Sequence, residues 1–84
     1  MADVIVRAKI YPEESESIPS IEKEIRNILR VGEIKIIEIG FGIKLIQVSF
    51  LAREDEGLEA SEQKINSIAG VRQVEIESVD RALG

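Results

Sequence analysis

The sequence predicts an α+β domain whose strands and helices follow the order β-α-β-β-α-β. Apolar and polar residues alternate in four segments, apolar residues recur every three or four positions in two others, and Gly or Pro lies near several of the boundaries. Ile and Val dominate the apolar residues, which make up 44% of the chain, and both favour strands. Because 84 residues fit one small domain with one core, residues 1–84 are interpreted as a single domain.

The first predicted strand covers about residues 3–11. Val4, Val6, Ala8 and Ile10 share one face of this segment, and the residues between them form a mixed, partly polar face. The strand is expected to end at Pro12, where an acidic, serine-containing run begins.

A helix is predicted next, because apolar residues from Ile18 to Leu29 recur at helical spacing. Either Ser17 or Ser20 could be its N-cap, and Pro19 is tolerated in a first turn. Gly32 is expected to terminate it.

Two further strands are predicted at about residues 33–39 and 43–52, on either side of Gly40-Phe41-Gly42. Glycine on each side of an aromatic predicts a turn, because glycine adopts backbone angles that other residues avoid. Phe41 would then either project from the turn or fold back onto the core. Phe50, in the third strand, falls on the face predicted to be buried.

The second helix is predicted at about residues 58–69, ended by Gly70, and the last strand at about 71–79. Asp80 to Gly84 are interpreted as a short tail. The predicted buried stripe of this helix comprises Leu58, Ser61, Ile65, Ile68 and Ala69.

With right-handed crossovers, this order of elements predicts a ferredoxin-like split sandwich. Four antiparallel strands form one sheet, both helices cover one face, and the other face is open. The residues expected to form the core are Ile25, Ile28, Ile46, Val48, Phe50, Ile65, Ile68, Val74 and Ile76.

Composition argues against several function classes. The net charge of −5 disfavours direct binding of nucleic acid, whose affinity depends on neutralised phosphates. The chain has no Cys and no His, so thiolate chemistry and histidine acid–base catalysis are excluded. The acidic runs at 13–16 and 54–56 lack the spacing of a calcium loop, and no metal or cofactor is expected. No apolar run is long enough to span a membrane, and a cytoplasmic location is expected.

Two other non-enzymatic functions occur in domains of this fold. The fold also occurs in RNA-binding modules, but the open face lacks their pair of stacking aromatics. A small regulatory or ligand-binding module that acts as an oligomer is compatible with the sequence, because this fold carries many functions. The oligomeric state itself is not specified by the residues.

Several segments resemble the archaeal elongation factor 1-beta family, which exchanges the nucleotide of translation elongation factor 1-alpha. The most distinctive similarity is Ile39–Gln47, which contains the Gly-Phe-Gly-Ile-Lys run. Ala2–Glu13 is similar to the first strand of the family, and Glu54–Gly57 to the acidic loop before its second helix. Gly70–Ile76 and Asp80–Arg81 are similar to its closing strand and terminus.

The resemblance implies a factor that binds elongation factor 1-alpha, disturbs its Mg²⁺ and phosphate site and speeds the loss of GDP, without covalent chemistry of its own. The aromatic of the family's turn contacts the GTPase, and this role carries over to Phe41. Lys44 is interpreted either as a partner contact or as a solvated strand residue. The candidate partner-binding residues are Gly40, Phe41, Gly42, Lys44, Asp80 and Arg81.

The C-terminus departs from the eukaryotic pattern. Eukaryotic members insert a Lys near the C-terminus into the metal site of the GTPase, whereas this chain has no Lys after Lys64. Arg81 lies nearest to that position, but a guanidinium is not equivalent to an ammonium group.

Overall fold

The computed structural model describes residues 3–81. The elements follow the predicted order β-α-β-β-α-β, with one short 3₁₀ turn, Ser15–Ser17, that the sequence did not reveal. The four strands are β1 (Asp3–Pro12), β2 (Arg30–Gly40), β3 (Ile43–Arg53) and β4 (Val71–Arg81), and the two helices are α1 (Ile18–Ile28) and α2 (Leu58–Asn66).

The strands form one antiparallel sheet in the order β2-β3-β1-β4. In β1, Val4 is paired with Ala52 of β3 and with Arg81 of β4, so the first strand of the chain lies inside the sheet. Side chains from both helices join one cluster with a single face of the sheet. The ferredoxin-like fold with both helices on one face is therefore confirmed.

The core lies between the helices and the central strands. Phe50 and Ile65 are buried as predicted, but Ile28 is 37% exposed and does not belong to the core. Ile28 is the last residue of α1, and Leu29, already extended, packs against the core in its place. Val74 and Ile76 are only partly buried, because β4 is an edge strand. The buried apolar cluster comprises Val6, Ala8, Ile10, Ile18, Ile21, Ile25, Ile46, Val48, Phe50, Ile65 and Ile68.

The boundaries of α1 settle one alternative and correct one prediction. Ser17 occupies the N-cap position, with Pro19 in the first turn, but its hydroxyl makes no capping hydrogen bond. Gly32 does not end the helix, because α1 stops at Ile28 and the chain enters β2 at Arg30. Gly32 is instead the extra residue where the β2–β3 register shifts, between the pairs that contain Val31 and Glu33.

Helix α2 and strand β4 also differ from the prediction at their ends. The helix stops at Asn66, and Leu58 and Ala69 of the predicted stripe are exposed. Asp80 and Arg81 are not tail residues, because they pair with Ile5 and Val4 of β1 and extend β4 to the end of the sheet. The remainder of the predicted tail, residues 82–84, lies outside the described residues.

Candidate functional site

A two-residue turn joins β2 to β3. Gly40 is paired with Ile43, and Phe41 and Gly42 between them have φ angles of 55° and 75°. Positive φ at both central positions is the signature of a type I′ turn, whose twist matches that of the flanking strands. The predicted Gly-Phe-Gly turn is therefore present, and its two central residues are in the left-handed region.

Phe41 is the one residue other than Gly with a positive φ among residues 3–81. An L-residue in this region carries a steric cost of about 1–2 kcal/mol, which Asn or Gly avoids or reduces. The Phe41 ring does not recover that cost by burial, since the residue is 104% exposed. Of the two alternatives for Phe41, the structure shows the ring projecting from the turn, and folding gives no reason for an aromatic at this position.

The turn contacts the segment that precedes α1. The hydroxyl of Ser15 donates a long hydrogen bond, 3.4 Å, to the carbonyl oxygen of Gly42. Ser15 begins the 3₁₀ turn, so this contact links the end of the hairpin to the body of the domain. At this length the bond is weak, so the paired strands β2 and β3 are the main constraint on the backbone that carries Phe41.

Two isoleucines beside the turn are also exposed. Ile39 is 55% and Ile43 54% exposed, one on each strand of the hairpin. The apolar pattern does not distinguish these two residues, because each fits an ordinary strand. The available signal was the position of both residues next to glycines, which offer no side chain to pack against.

Lys44 lies on the same hairpin, opposite Glu38. Within residues 3–81 it makes no ion pair, whereas Lys35 on β2 pairs with Glu33 at 3.4 Å. Lys44 also lines a shallow depression of about 210 Å³ together with Tyr11 and other residues around the hairpin. Its charge is therefore available to a partner.

Asp80 and Arg81 lie at the other end of the sheet. In the sheet, Arg81 lies opposite Val4, beside the last residues of β3, and its guanidinium is 3.9 Å from the carboxylate of Glu54. The carboxylate of Asp80 forms an ion pair with Arg7 at 3.0 Å. Since β3 runs from the turn to this end, the two groups are roughly 30 Å apart at about 3.3 Å per residue.

The structure thus brings Gly40, Phe41, Gly42 and Lys44 together and separates them from Asp80 and Arg81. The hairpin end offers apolar side chains, backbone and one lysine, which are groups that bind a surface. Among residues 3–81, no cluster of three or more acidic side chains is arranged to hold a metal ion, and no helix is long and apolar enough to cross a membrane.

Comparison with known proteins gives consistent matches over almost the whole chain. Residues 5–82 match the family described as the EF-1 guanine nucleotide exchange domain. The chain is 35% identical to elongation factor 1-beta of Thermoplasma acidophilum, over 94% of this chain and 97% of that protein. It is 38% identical to elongation factor 1-beta of Staphylothermus marinus, over 96% and 98%. For elongation factor 1-beta of Methanocorpusculum labreanum the identity is 31%, over 99% and 100%.

Proposed function

The chain belongs to the family of EF-1 guanine nucleotide exchange domains, which supports a role in nucleotide exchange during translation elongation, and we propose that it promotes the release of GDP from elongation factor 1-alpha. It acts by binding this GTPase and disturbing its Mg²⁺ and phosphate site. It carries out no covalent chemistry of its own and needs no cofactor. A role in elongation also supports the expected cytoplasmic location.

The observation that carries this proposal is the exposed ring of Phe41 on a backbone of positive φ. Strained backbone persists where the surroundings hold it, and it is concentrated at binding and active sites. Exposed aromatic side chains also supply a large share of the binding energy in protein interfaces. Phe41 is therefore assigned as the anchor for elongation factor 1-alpha, with Gly40 and Gly42 shaping the turn and Lys44 as a charged contact.

Exchange follows from differential binding. A factor that binds the nucleotide-free GTPase more tightly than the GDP form must lower the affinity for GDP by the same ratio. The anchor at the hairpin supplies binding energy, and the end of the sheet with Asp80 and Arg81 makes the second contact. The domain is 42 Å long, so the two ends can contact separate parts of the GTPase.

The charge of −5 determines how the two proteins meet. If the surface of the GTPase that faces this domain is basic, attraction raises the association rate constant, and added salt lowers it. Direct binding to nucleic acid at about 0.15 M salt is not expected, because the chain cannot neutralise many phosphates.

The decisive experiment measures the release of fluorescent GDP from the cognate elongation factor 1-alpha, with and without this protein. We expect acceleration that saturates with protein concentration, and no GTP hydrolysis when the GTPase is omitted. Phe41→Ala should lower the exchange activity at least tenfold without loss of stability. Absence of acceleration over a wide concentration range would contradict the proposal, and a thermal shift with a metabolite but none with the GTPase would favour a ligand-binding module instead.

A further inference from the structure

We propose that Ile39 and Ile43 bind the GTPase together with Phe41, and that the receiving surface is a concave apolar recess bordered by a carboxylate. This inference rests on the proposed function, since it names further contacts of the same hairpin end. It adds two binding residues and defines the chemistry of the surface that the partner must present.

The two isoleucines are exposed because of the local register. The β2–β3 pairing shifts by one residue between Glu38↔Lys44 and Gly40↔Ile43, and Ile39 is the extra residue. An extra residue in a bulge is left unpaired and its side chain is re-aimed. Ile43 faces Gly40, which has no side chain, so neither isoleucine packs against a cross-strand neighbour.

The side chains of Ile39 and Ile43 do not pack in the core. Neither belongs to the buried core cluster or to the partly buried residues that pack against it. With Phe41 they place three large apolar side chains around one two-residue turn. Exposed apolar side chains that are grouped at one place on a surface mark an interaction site.

The shape of this end indicates a concave partner. The domain measures 42 × 22 × 17 Å, and Phe41 has no less accessible surface than in an unfolded reference, at 104%. The ring therefore projects from the hairpin, beside the depression that Ile43 and Lys44 line. Two such ends can contact each other only over a small area, so a second copy of the chain would leave most of these apolar side chains in water.

A positive charge lies beside the group formed by Ile39, Phe41 and Ile43. Lys44 follows Ile43 directly and makes no ion pair among residues 3–81. Interfaces combine an apolar centre with a polar, solvent-accessible rim. A carboxylate at the edge of the recess would pair with this ammonium group and fix the orientation of the docked hairpin.

The test uses Ile39→Thr and Ile43→Thr, singly and together, in the fluorescent GDP release assay. Threonine keeps the β-branch that favours strands and replaces a methyl group by a hydroxyl. We expect the double variant to raise the half-saturating concentration at least tenfold with an unchanged maximal rate. Ile36→Thr is the matched control, because Ile36 lies on β2 and is 44% exposed but is paired with Ile46, away from the turn. It should change that concentration less than twofold.

The carboxylate is tested by charge reversal. Lys44→Glu should raise the half-saturating concentration several-fold and change its salt dependence. Lys64→Glu is the control, since Lys64 on α2 is also exposed and makes no ion pair among the described residues. Equal effects of the two reversals would remove the carboxylate from the proposal.

The outcomes separate this inference from the proposed function. If the unmodified protein does not accelerate GDP release, the proposed function itself is wrong. If it does accelerate GDP release, but the double variant behaves like the unmodified protein or like Ile36→Thr, the proposal that Ile39 and Ile43 bind an apolar recess of the GTPase is wrong. A dimer in sedimentation equilibrium that the double variant abolishes would identify a second copy as the occupant and overturn the inference.

Discussion

Gln47 of β3 donates a hydrogen bond of 2.9 Å to Glu77 of β4, although β1 lies between their strands. Lys9 of β1 lies 3.5 Å from the same carboxylate. Glu77 reaches this position because it is the extra residue where the β1–β4 register shifts, between the pairs that contain Arg7 and Ala8. One carboxylate therefore connects three strands on the face that the helices do not cover.

The connection predicts how stability depends on pH. The hydrogen bond from Gln47 is the main cause that lowers the pKa of Glu77 below its usual 4.5, with the charge of Lys9 acting in the same direction and loss of hydration opposing both. A pKa lowered by folding contributes stability above pH 4.5, and this stability is lost as the pH falls through the folded-state value. Gln47→Ala should therefore reduce the urea midpoint at neutral pH and flatten its decline below pH 4.5.

The matched control for this pH prediction is Ser49→Ala, two residues along the same strand and on the same face. In Ser49→Ala, the urea midpoint should decline with falling pH as steeply as it does in the unmodified protein. A carboxyl titration of Glu77 by NMR that is unchanged in Gln47→Ala would remove the hydrogen bond as the cause of the lowered pKa.

Phe41→Asn should make the protein more stable and less active. Asn tolerates the positive φ of this position, so the free energy of unfolding should rise by about 1 kcal/mol. Loss of the ring should lower GDP release at least tenfold. Both quantities are measured on the same sample, by chemical unfolding and by the exchange assay. A destabilised variant would show that the ring packs on the domain, and full activity in a stable variant would show that it is no anchor.

Ile65→Ala should destabilise the fold by about 2–5 kcal/mol, because the side chain is fully buried and its removal leaves a cavity. Ile28→Ala makes the same chemical change at a residue that is 37% exposed, and it should cost less than about 1 kcal/mol. The comparison uses chemical melts of the two variants. Similar losses in both would contradict the assignment of Ile28 to the surface.

Gly70→Ala should cost more than Gly57→Ala. Both glycines have a positive φ, 94° and 78°, so both substitutions strain the backbone. At Gly70 a Cβ would also lie 3.0 Å from the Cβ of Ser17, whereas at Gly57 it would meet nothing within 4 Å. We expect about 2–3 kcal/mol for Gly70→Ala and about 1 kcal/mol for Gly57→Ala. Equal unfolding free energies in the two variants would show that Ser17 moves aside without cost.

The sequence predicted the fold well because its apolar periods are set by burial. Ile25 and Phe50 lie in the core at the positions that helical and alternating spacing indicate. Ile28 fitted the same spacing, but the prediction that it is buried was wrong, because periodicity does not reveal the residue at which a helix ends. The prediction that Gly32 ends the helix was wrong for a related reason. A glycine after a helical pattern usually indicates the end of the helix, whereas Gly32 is the extra residue of a bulge inside a strand.

The candidate site was only partly accessible from sequence. The glycines around Phe41 indicated a turn and left open whether the ring projects or folds back, and the structure shows it projecting. The distance between Phe41 and Arg81 depends on the order of strands in the sheet, which pairs Arg81 with Val4 at the far end. The exposure of Ile39 depends on a one-residue shift of register that leaves no trace in the hydrophobic pattern.

The position of β1 affects how the chain folds as it leaves the ribosome. β1 is synthesised first and β4 last, yet the two are neighbours in the sheet. The β2–β3 hairpin forms from adjacent segments and β1 can join β3, but the other side of β1 has no partner until Val71–Arg81 has left the ribosome. Until then an apolar strand presents free backbone groups along one edge, so the nascent chain is most prone to association with other polypeptides before β4 pairs with β1.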